Sequence, residues 1–476
     1  MRFMKKNLTK KDIIWNYLSK AFSLFSGLIT LPMILSFLSQ DEIALNYIFL
    51  NIISFVFLFD FGFSSQFSRN VAFAFGGAND INLKGFQIGD GKELNYRLIK
   101  SIIVAAQNLY LRIGAFVLIV LLTFGTWYVY TVTLGFSLVS DALALWLVFV
   151  ILEFLDFYFK FYTPLMLGKG QIAEVNQIEI YSNICKVLVT IILLLLGGRL
   201  WSVLIGMGVK IALVRASSYY EFYYRDGLKQ KMAKILVTKA ERKVILSKVW
   251  YNAKRTGIVQ ISSFATTQIG LFFTGIYLDT ESLASYGLLM QLVSVISSVS
   301  LSLGYSSLPL FSQFRASGNL NALKNGFYFS LGMFYIIYGT GSLVLLFVVP
   351  YLLPLIRANA VLPTIPIVLI YLLNKFLEGQ HCLSICCLSS KNVVYDFESA
   401  TLLGVLTVIL LYFGFEFMGI GLLGLVILLF LVQLVYPNWK WPYEICKDLD
   451  ISYRRLVCNS LSGVGSRLSH YFKFKQ

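Results

Sequence analysis

Runs of about twenty mostly apolar residues recur along this chain and limit what it can fold into. Twelve lie near 13–38, 43–68, 100–124, 142–165, 172–196, 200–220, 254–277, 283–310, 326–349, 362–388, 396–415 and 418–437. A run of this length crosses the hydrocarbon core of a bilayer as a helix. Lipid-exposed backbone must satisfy its own hydrogen bonds, so helices are the default. The runs are continuous rather than alternating ten-residue segments, which excludes a membrane β-barrel. Composition agrees, because 13% charged and 57% apolar residues cannot clothe a soluble chain of 476 residues. That excludes a secreted disulfide scaffold, a disordered regulator and a cytosolic enzyme. The expected fold is an all-α polytopic membrane protein with about 12 transmembrane helices.

The net charge is +16. The basic residues fall mainly between apolar runs, which fits loops held near anionic lipid and gives no reason to expect nucleic acid. With the N-terminus inside, inner segments hold 30 Lys and Arg and outer segments only Arg199 and Arg357. A wrong span count would scramble that asymmetry, so both termini are expected in the cytoplasm. The first run is too long for a cleaved leader and has no small-residue cleavage site. Six cysteines show no paired spacing, and His381 and His470 are the only histidines, so no metal site is expected.

The long basic segment 221–256 divides the chain. The expected layout is a six-helix lobe (1–225), a basic linker (226–253), a second six-helix lobe (254–437) and a basic tail (438–476). Within the linker, Lys231 to Trp250 mixes basic and apolar residues, suiting either a surface helix or a solvated linker. The halves echo each other: Asp41-Glu42 and Asp279 with Glu281 open second spans, and Gly62-Phe63-Ser64-Ser65 matches Gly304-Tyr305-Ser306-Ser307. Six spans per half give both halves one orientation, a parallel repeat of the transporter type around a central cavity. Asp41-Glu42 itself reads as a helix cap. Pro32 and Pro309 permit bends.

Charges inside spans are costly, about 2.5–3.5 kcal/mol each on insertion scales, and are functional candidates. The first half holds Lys20, Asp60, Arg69, Arg112, Glu153, Asp156, Lys160, Glu179, Lys186, Lys210 and Arg215; the second holds mainly Lys375, Glu378 and Glu398, with His381. Glu153, Asp156 and Lys160 share a helix face, as do Asn176, Glu179, Asn183 and Lys186, and Asn16, Lys20, Ser23, Gly27 and Thr30. Three such stripes argue for a water-lined cavity between helices. The competing reading is local neutralisation, with Asp156 placed to pair with Lys160, Glu179 and Lys186 able to pair across helices, and Glu378 and His381 able to satisfy each other. Seven basic against four acidic groups leave an excess of +3 in the first half, which suits an anionic passenger. Lys20, Arg69, Arg112, Lys160, Lys186 and Arg215 are the candidate substrate contacts. Asp60, Glu153, Asp156 and Glu179 are the candidate ion-coupling carboxylates. Asp60 and Arg69, nine residues apart on one helix, would be separated by about 13.5 Å, too far to pair.

Trp15-Asn16-Tyr17, Gly27-Leu28-Ile29-Thr30-Leu31-Pro32, and Phe59-Asp60-Phe61-Gly62-Phe63 followed by Arg69 and Gly76-Gly77-Ala78 resemble Wzx-type lipid-linked oligosaccharide flippases. These belong to the multidrug/oligosaccharidyl-lipid/polysaccharide exporter superfamily. The motifs cover about the first 80 residues, and the layout extends the resemblance across the chain. It implies two lobes around a cavity in the bacterial inner membrane. The implied passenger is an undecaprenyl-diphosphate-linked oligosaccharide, moved to the periplasmic leaflet by ion-coupled alternating access for O-antigen or polysaccharide synthesis. Asp60 and Arg69 match the family pattern. The implied partners are that substrate, membrane lipids and polysaccharide polymerase or ligase machinery. No cofactor is implied beyond a coupling H+ or Na+. The alternatives are a cation-coupled multidrug antiporter, which prefers an acidic cavity, and a polyprenyl-dependent glycosyltransferase or polymerase. The short outer loops and the lack of nucleotide or nucleophile motifs favour a transporter over an enzyme.

Overall fold

The computed structural model describes residues 10–82, 85–88, 94–139, 141–308, 311, 314–315, 319–391 and 397–462. Helices carry the fold. Nine of those described are long and apolar enough to cross a membrane by length and composition. The three other expected spans lie on α1 (Lys10–Phe37), the consecutive α11 (Lys239–Thr267) and α12 (Ile269–Tyr277), and α16 (Ile365–Leu388), which carries Lys375, Glu378 and His381. Among the described residues, the strands are β1 (Ala78–Asn82) and β2 (Gly85–Ile88), an antiparallel hairpin outside the spans. Lys248 of α11 reaches Asp80 of that hairpin at 3.3 Å.

The chain forms two compact units, Met1–Ile261 and Ser262–Gln476. In the first, α1 packs on α8 (Ile172–Leu195), and α8 packs on α9 (Arg199–Tyr223). There too α4 (Tyr96–Val120) lies against α6 (Ala142–Phe159), which also meets α9 and α2 (Gln40–Leu58). After α4, a π-helical turn (Leu121–Gly125) leads into α5 (Thr126–Val132).

Ser39 and Glu42 start α2 as a reciprocal capping box, with Ser39 N donating to Glu42 Oε2 at 2.9 Å and Glu42 N donating to Ser39 Oγ at 3.3 Å. Glu42 also pairs with Arg199 at 3.2 Å. The span expected at 43–68 is not one helix. It breaks after Leu58 and resumes as α3 (Phe63–Phe75). Phe61 and Gly62 at the break have φ of 45° and 75°. That left-handed backbone favours glycine and costs a bulky residue such as Phe61. The echo in the second unit differs: Gly304 stays inside α13 (Thr280–Ser306). Asp279 caps α13 through Ser282 N at 2.8 Å. The segment expected as a linker holds α10 (Leu228–Met232), a short extended stretch, and the start of α11, which runs on without interruption into the next span. Pro309 lies outside the described residues; Pro32 stays inside α1.

In the second unit, α13 packs on α14 (Leu320–Phe347) and on α16. The α16 helix also meets α18 (Leu422–Val435) and α19 (Pro437–Asp448). Between α14 and α16 lies the short α15 (Val349–Leu355), and α17 (Phe397–Met418) precedes α18. Among the described side chains, Lys375 and Glu378 neutralise each other here. Lys375 donates to Glu378 at 2.6 Å, and Gln433 donates to the same carboxylate at 3.2 Å. His381, expected to satisfy Glu378, interacts with it electrostatically, and its Nδ1 bonds Asn438 Oδ1 at 2.8 Å. An amide on a neighbouring helix lies within reach where the carboxylate one turn away has already taken Lys375.

A close approach of α7 (Tyr162–Gly168) to α3 depends on Gly168. A Cβ there would overlap the Ser68 carbonyl and Val71 Cβ of α3. Backbone cannot yield as a side-chain tip can. Gly168→Val is therefore expected to cost about 1–3 kcal/mol and to lower the folded yield in membranes, read by detergent-resistant monodisperse protein. Gly27→Ala, which meets no atom, should leave the yield unchanged.

Candidate functional site

The break between α2 and α3 places Asp60, 3% exposed, in the interior of the first unit. Tyr110 of α4 donates to Asp60 Oδ1 at 2.6 Å, Ser64 of α3 donates to the same oxygen at 2.9 Å, and the two hydroxyls lie 2.8 Å apart. Hydroxyl donors to a carboxylate are short, strong bonds. No cation lies within ion-pair distance of Asp60 among the described residues.

Lys160 is the cation that serves this group. It caps the C-terminus of α6, and its Nζ lies 3.5 Å from the Phe57 ring centroid. It interacts electrostatically with Asp60, then with Asp156 and Glu153. The expected Asp156–Lys160 ion pair does not form. Its place is taken by the Phe57 ring face, a cation–π contact that keeps the charge available to three carboxylates. Glu153, one turn from Asp156, is 2% exposed, and its Oε1 has no hydrogen-bond partner. Such an orphaned buried oxygen is costly unless it holds a proton or an ion. Asp156 is exposed and interacts with Lys210, Lys160, Glu179 and Arg215, so the α6 stripe faces α8 and α9.

On that side Glu179 accepts from Lys210 at 2.6 Å and from Asn183 at 3.2 Å. Glu179 thus pairs across helices, as the neutralisation reading expects, with Lys210 of α9. The seven-residue step to Lys186 is two turns, whereas α9 packs directly on α8. Lys186 is left without an ion-pair partner among the described residues, beside Lys210, Glu179 and Asp156. Asn176 bonds back to Ile172 O at 2.8 Å, a local helix contact. Arg215 Nη1 donates to Phe159 O at 2.7 Å, and its guanidinium lies 5.0 Å from the Tyr162 ring centroid. Its Nε and Nη2 are buried without partners.

Four carboxylates therefore meet four cations: Asp60, Glu153, Asp156 and Glu179 with Lys160, Lys186, Lys210 and Arg215. The positive excess expected from the sequence is not in this cluster. Of the described cations that made up that excess, Arg69 and Arg112 lie apart from the cluster. Arg69 is exposed and donates to Gln66 at 2.6 Å; Asp60 and Arg69 do not share one continuous helix. Arg112 is exposed near the middle of the span Tyr96–Val132 and has no ion pair among the described residues. The side chain of Lys20 lies outside the described residues, as does that of Glu398. Sequence reasoning missed Tyr110, Ser64 and Phe57. Ser64 had a signal, four residues after Asp60; a tyrosine and a phenylalanine in apolar helices have none.

No family model and no curated protein matches this chain. Solved structures do. A multidrug resistance MATE family transporter of the MOP superfamily, in its inward-facing conformation, aligns with a TM-score of 0.66 at 12% identity, over 91% of this chain and 95% of that one. The lipid II flippase MurJ, in an inward closed conformation, aligns with a TM-score of 0.60 at 14% identity, over 97% and 92%. The chain thus has the fold that these transporters share.

The Asp60 cluster can be tested directly. Asp60→Asn and Tyr110→Phe, combined in a double-mutant cycle, should show a coupling of about 1–2 kcal/mol in detergent unfolding. Additive effects would mean that the 2.6 Å bond contributes nothing.

Proposed function

We propose that this protein is a transporter that flips an anionic lipid-linked oligosaccharide across the bacterial inner membrane by alternating access. The observation that carries the reading is Arg112. It is exposed in the middle of an apolar span and has no ion-pair partner among the described residues. A guanidinium facing lipid there would be strongly disfavoured. Facing a water-filled path, it attracts an anion in a site that bulk water screens poorly. Lys186, also without a carboxylate at ion-pair distance, adds to that attraction. A diphosphate on a polyprenyl chain fits: its charge lies in the path and its tail stays in lipid. The fold shared with a lipid II flippase supports the same passenger class.

Asp60 and Glu153 supply the coupling in this reading. One carboxylate is held by hydroxyls rather than by a cation, and the other has an orphaned oxygen, so both can take up H+ or Na+. Lys160 responds to their charge. The balanced cluster favours a second reading, a cation-coupled multidrug exporter, since the fold is shared with one. The two differ in whether Arg112 and Lys186 matter to the cargo.

Export of polysaccharide in a flippase-deficient strain carrying this gene is the test. Complementation is expected. Arg112→Gln and Lys186→Gln should abolish or strongly lower export at near-normal membrane abundance. His381→Gln, whose amide can still bond Asn438, should be tolerated. Normal export by both cation variants would remove the anionic-passenger mechanism.

Orientation is checked separately. A reporter inserted at Leu236, in the exposed stretch before α11, should read as cytoplasmic, and one at Gly198, between α8 and α9, as periplasmic. The reverse pattern would overturn the assigned sidedness.

A further inference from the structure

At the end of the first unit that bears the basic segment, α4, α7, α9 and α10 enclose a cleft of about 370 Å³. Lys100, Gln107, Tyr162, Tyr219, Tyr223 and Lys229 supply its polar lining, and no carboxylate lines it. The fold does not need both ammonium groups there as charges. Lys100 Nζ donates to Met232 O at 2.8 Å and to Ile235 O at 2.5 Å. Lys229 Nζ donates to Tyr219 Oη at 3.0 Å and to Tyr224 Oη at 2.7 Å. Each ammonium has three N–H donors, so each keeps one uncommitted. Neither has an ion-pair partner among the described residues. Two uncompensated cations are thus held by neutral oxygens, with a donor each to spare, in a concave site.

The walls say where that site lies. The Tyr162, Tyr219 and Tyr223 rings form a triangle with centroids 5.3–6.3 Å apart. Tyr220 and Tyr224 are exposed beside it. Tyrosines clustered at the end of a span mark headgroup depth. The volume suits a glycerophosphate group and is small for an oligosaccharide.

We propose that this cleft is a binding site for the phosphate of an anionic phospholipid headgroup, distinct from the charged cluster around Asp60. The Lys100 and Lys229 ammoniums take the phosphate oxygens, and the tyrosine rings cover the glycerol. Because Lys100 also ties α4 to the carbonyls around α10, an occupied cleft fastens the basic segment to α4. The assignment does not rest on the transport reading, and its test measures binding alone.

The test uses the purified full-length protein in detergent, titrated with dihexanoyl phosphatidylglycerol, dihexanoyl phosphatidylcholine or inorganic phosphate, with bound ligand read by native mass spectrometry. Phosphatidylglycerol should bind more tightly than phosphatidylcholine. Lys229→Gln should weaken it about tenfold, the loss of one charge-assisted contact. Lys229→Arg should restore it, and Lys447→Gln, on α19, should not affect it. In the unaltered protein, raising salt should weaken phosphatidylglycerol binding, a reading that does not depend on any variant folding. Equal binding of phosphatidylcholine, no loss in Lys229→Gln with no salt dependence, or inorganic phosphate binding as tightly as phosphatidylglycerol would each overturn the lipid assignment. The last result would identify a free-anion site instead.

Discussion

Charge in a low-dielectric interior must be matched, solvated or made neutral, and the first unit is organised around that requirement. An isolated ion there is disfavoured by several kcal/mol, so four carboxylates and four cations gather from α6, α8, α9 and the break between α2 and α3. What is unusual is how few of them pair directly. One ion pair, Lys210 with Glu179, is closed at 2.6 Å. Asp60 rests on hydroxyls, Lys160 on an aromatic face and Arg215 on a carbonyl. A cluster that is balanced in sum but loosely paired can exchange an ion at small electrostatic cost. The second unit does the opposite, closing Lys375 on Glu378 and giving His381 an amide.

The spans were legible because apolar length and lipid together leave the backbone little choice. The capping box at Ser39 and Glu42 was legible as a local pattern, and the α6 and α8 stripes followed from helical spacing. Pairing was not legible. Spacing places Asp156 and Lys160 on one face, but Phe57, from another helix, decides where the ammonium rests. Glu179 takes Lys210 because α9 is nearer than two turns of its own helix. The break at Phe61-Gly62 sits in a run whose hydropathy gives no warning of it, and the +3 count summed a lobe, whereas Arg69 and Arg112 lie apart from the carboxylates. Tyr110 was invisible for the same reason: its role depends on Asp60, fifty residues earlier.

Fold and chemistry also separate here. A shared architecture with a MATE transporter and with MurJ fixes where helices run, while cargo is chosen by side chains. In the function proposed above, the discriminating groups are few: a cation exposed within an apolar span, and carboxylates without a cation at ion-pair distance among the described residues. They are also the groups that sequence divergence at 12–14% identity leaves free to change.

The break between α2 and α3 joins two quantities that are usually distant. The backbone there turns through left-handed geometry at Phe61 and Gly62, and the adjacent residue carries the carboxylate that Tyr110 and Ser64 hold. The carboxylate and the change of chain direction are therefore set by three consecutive residues. An ion that binds Asp60 more tightly in one arrangement of the break must favour that arrangement by the same free energy. The converse holds too: anything that straightens or bends the chain at Gly62 retunes the affinity of the acid beside it. Such reciprocity requires no long relay of contacts, because the lever and the sensor are neighbours in the sequence.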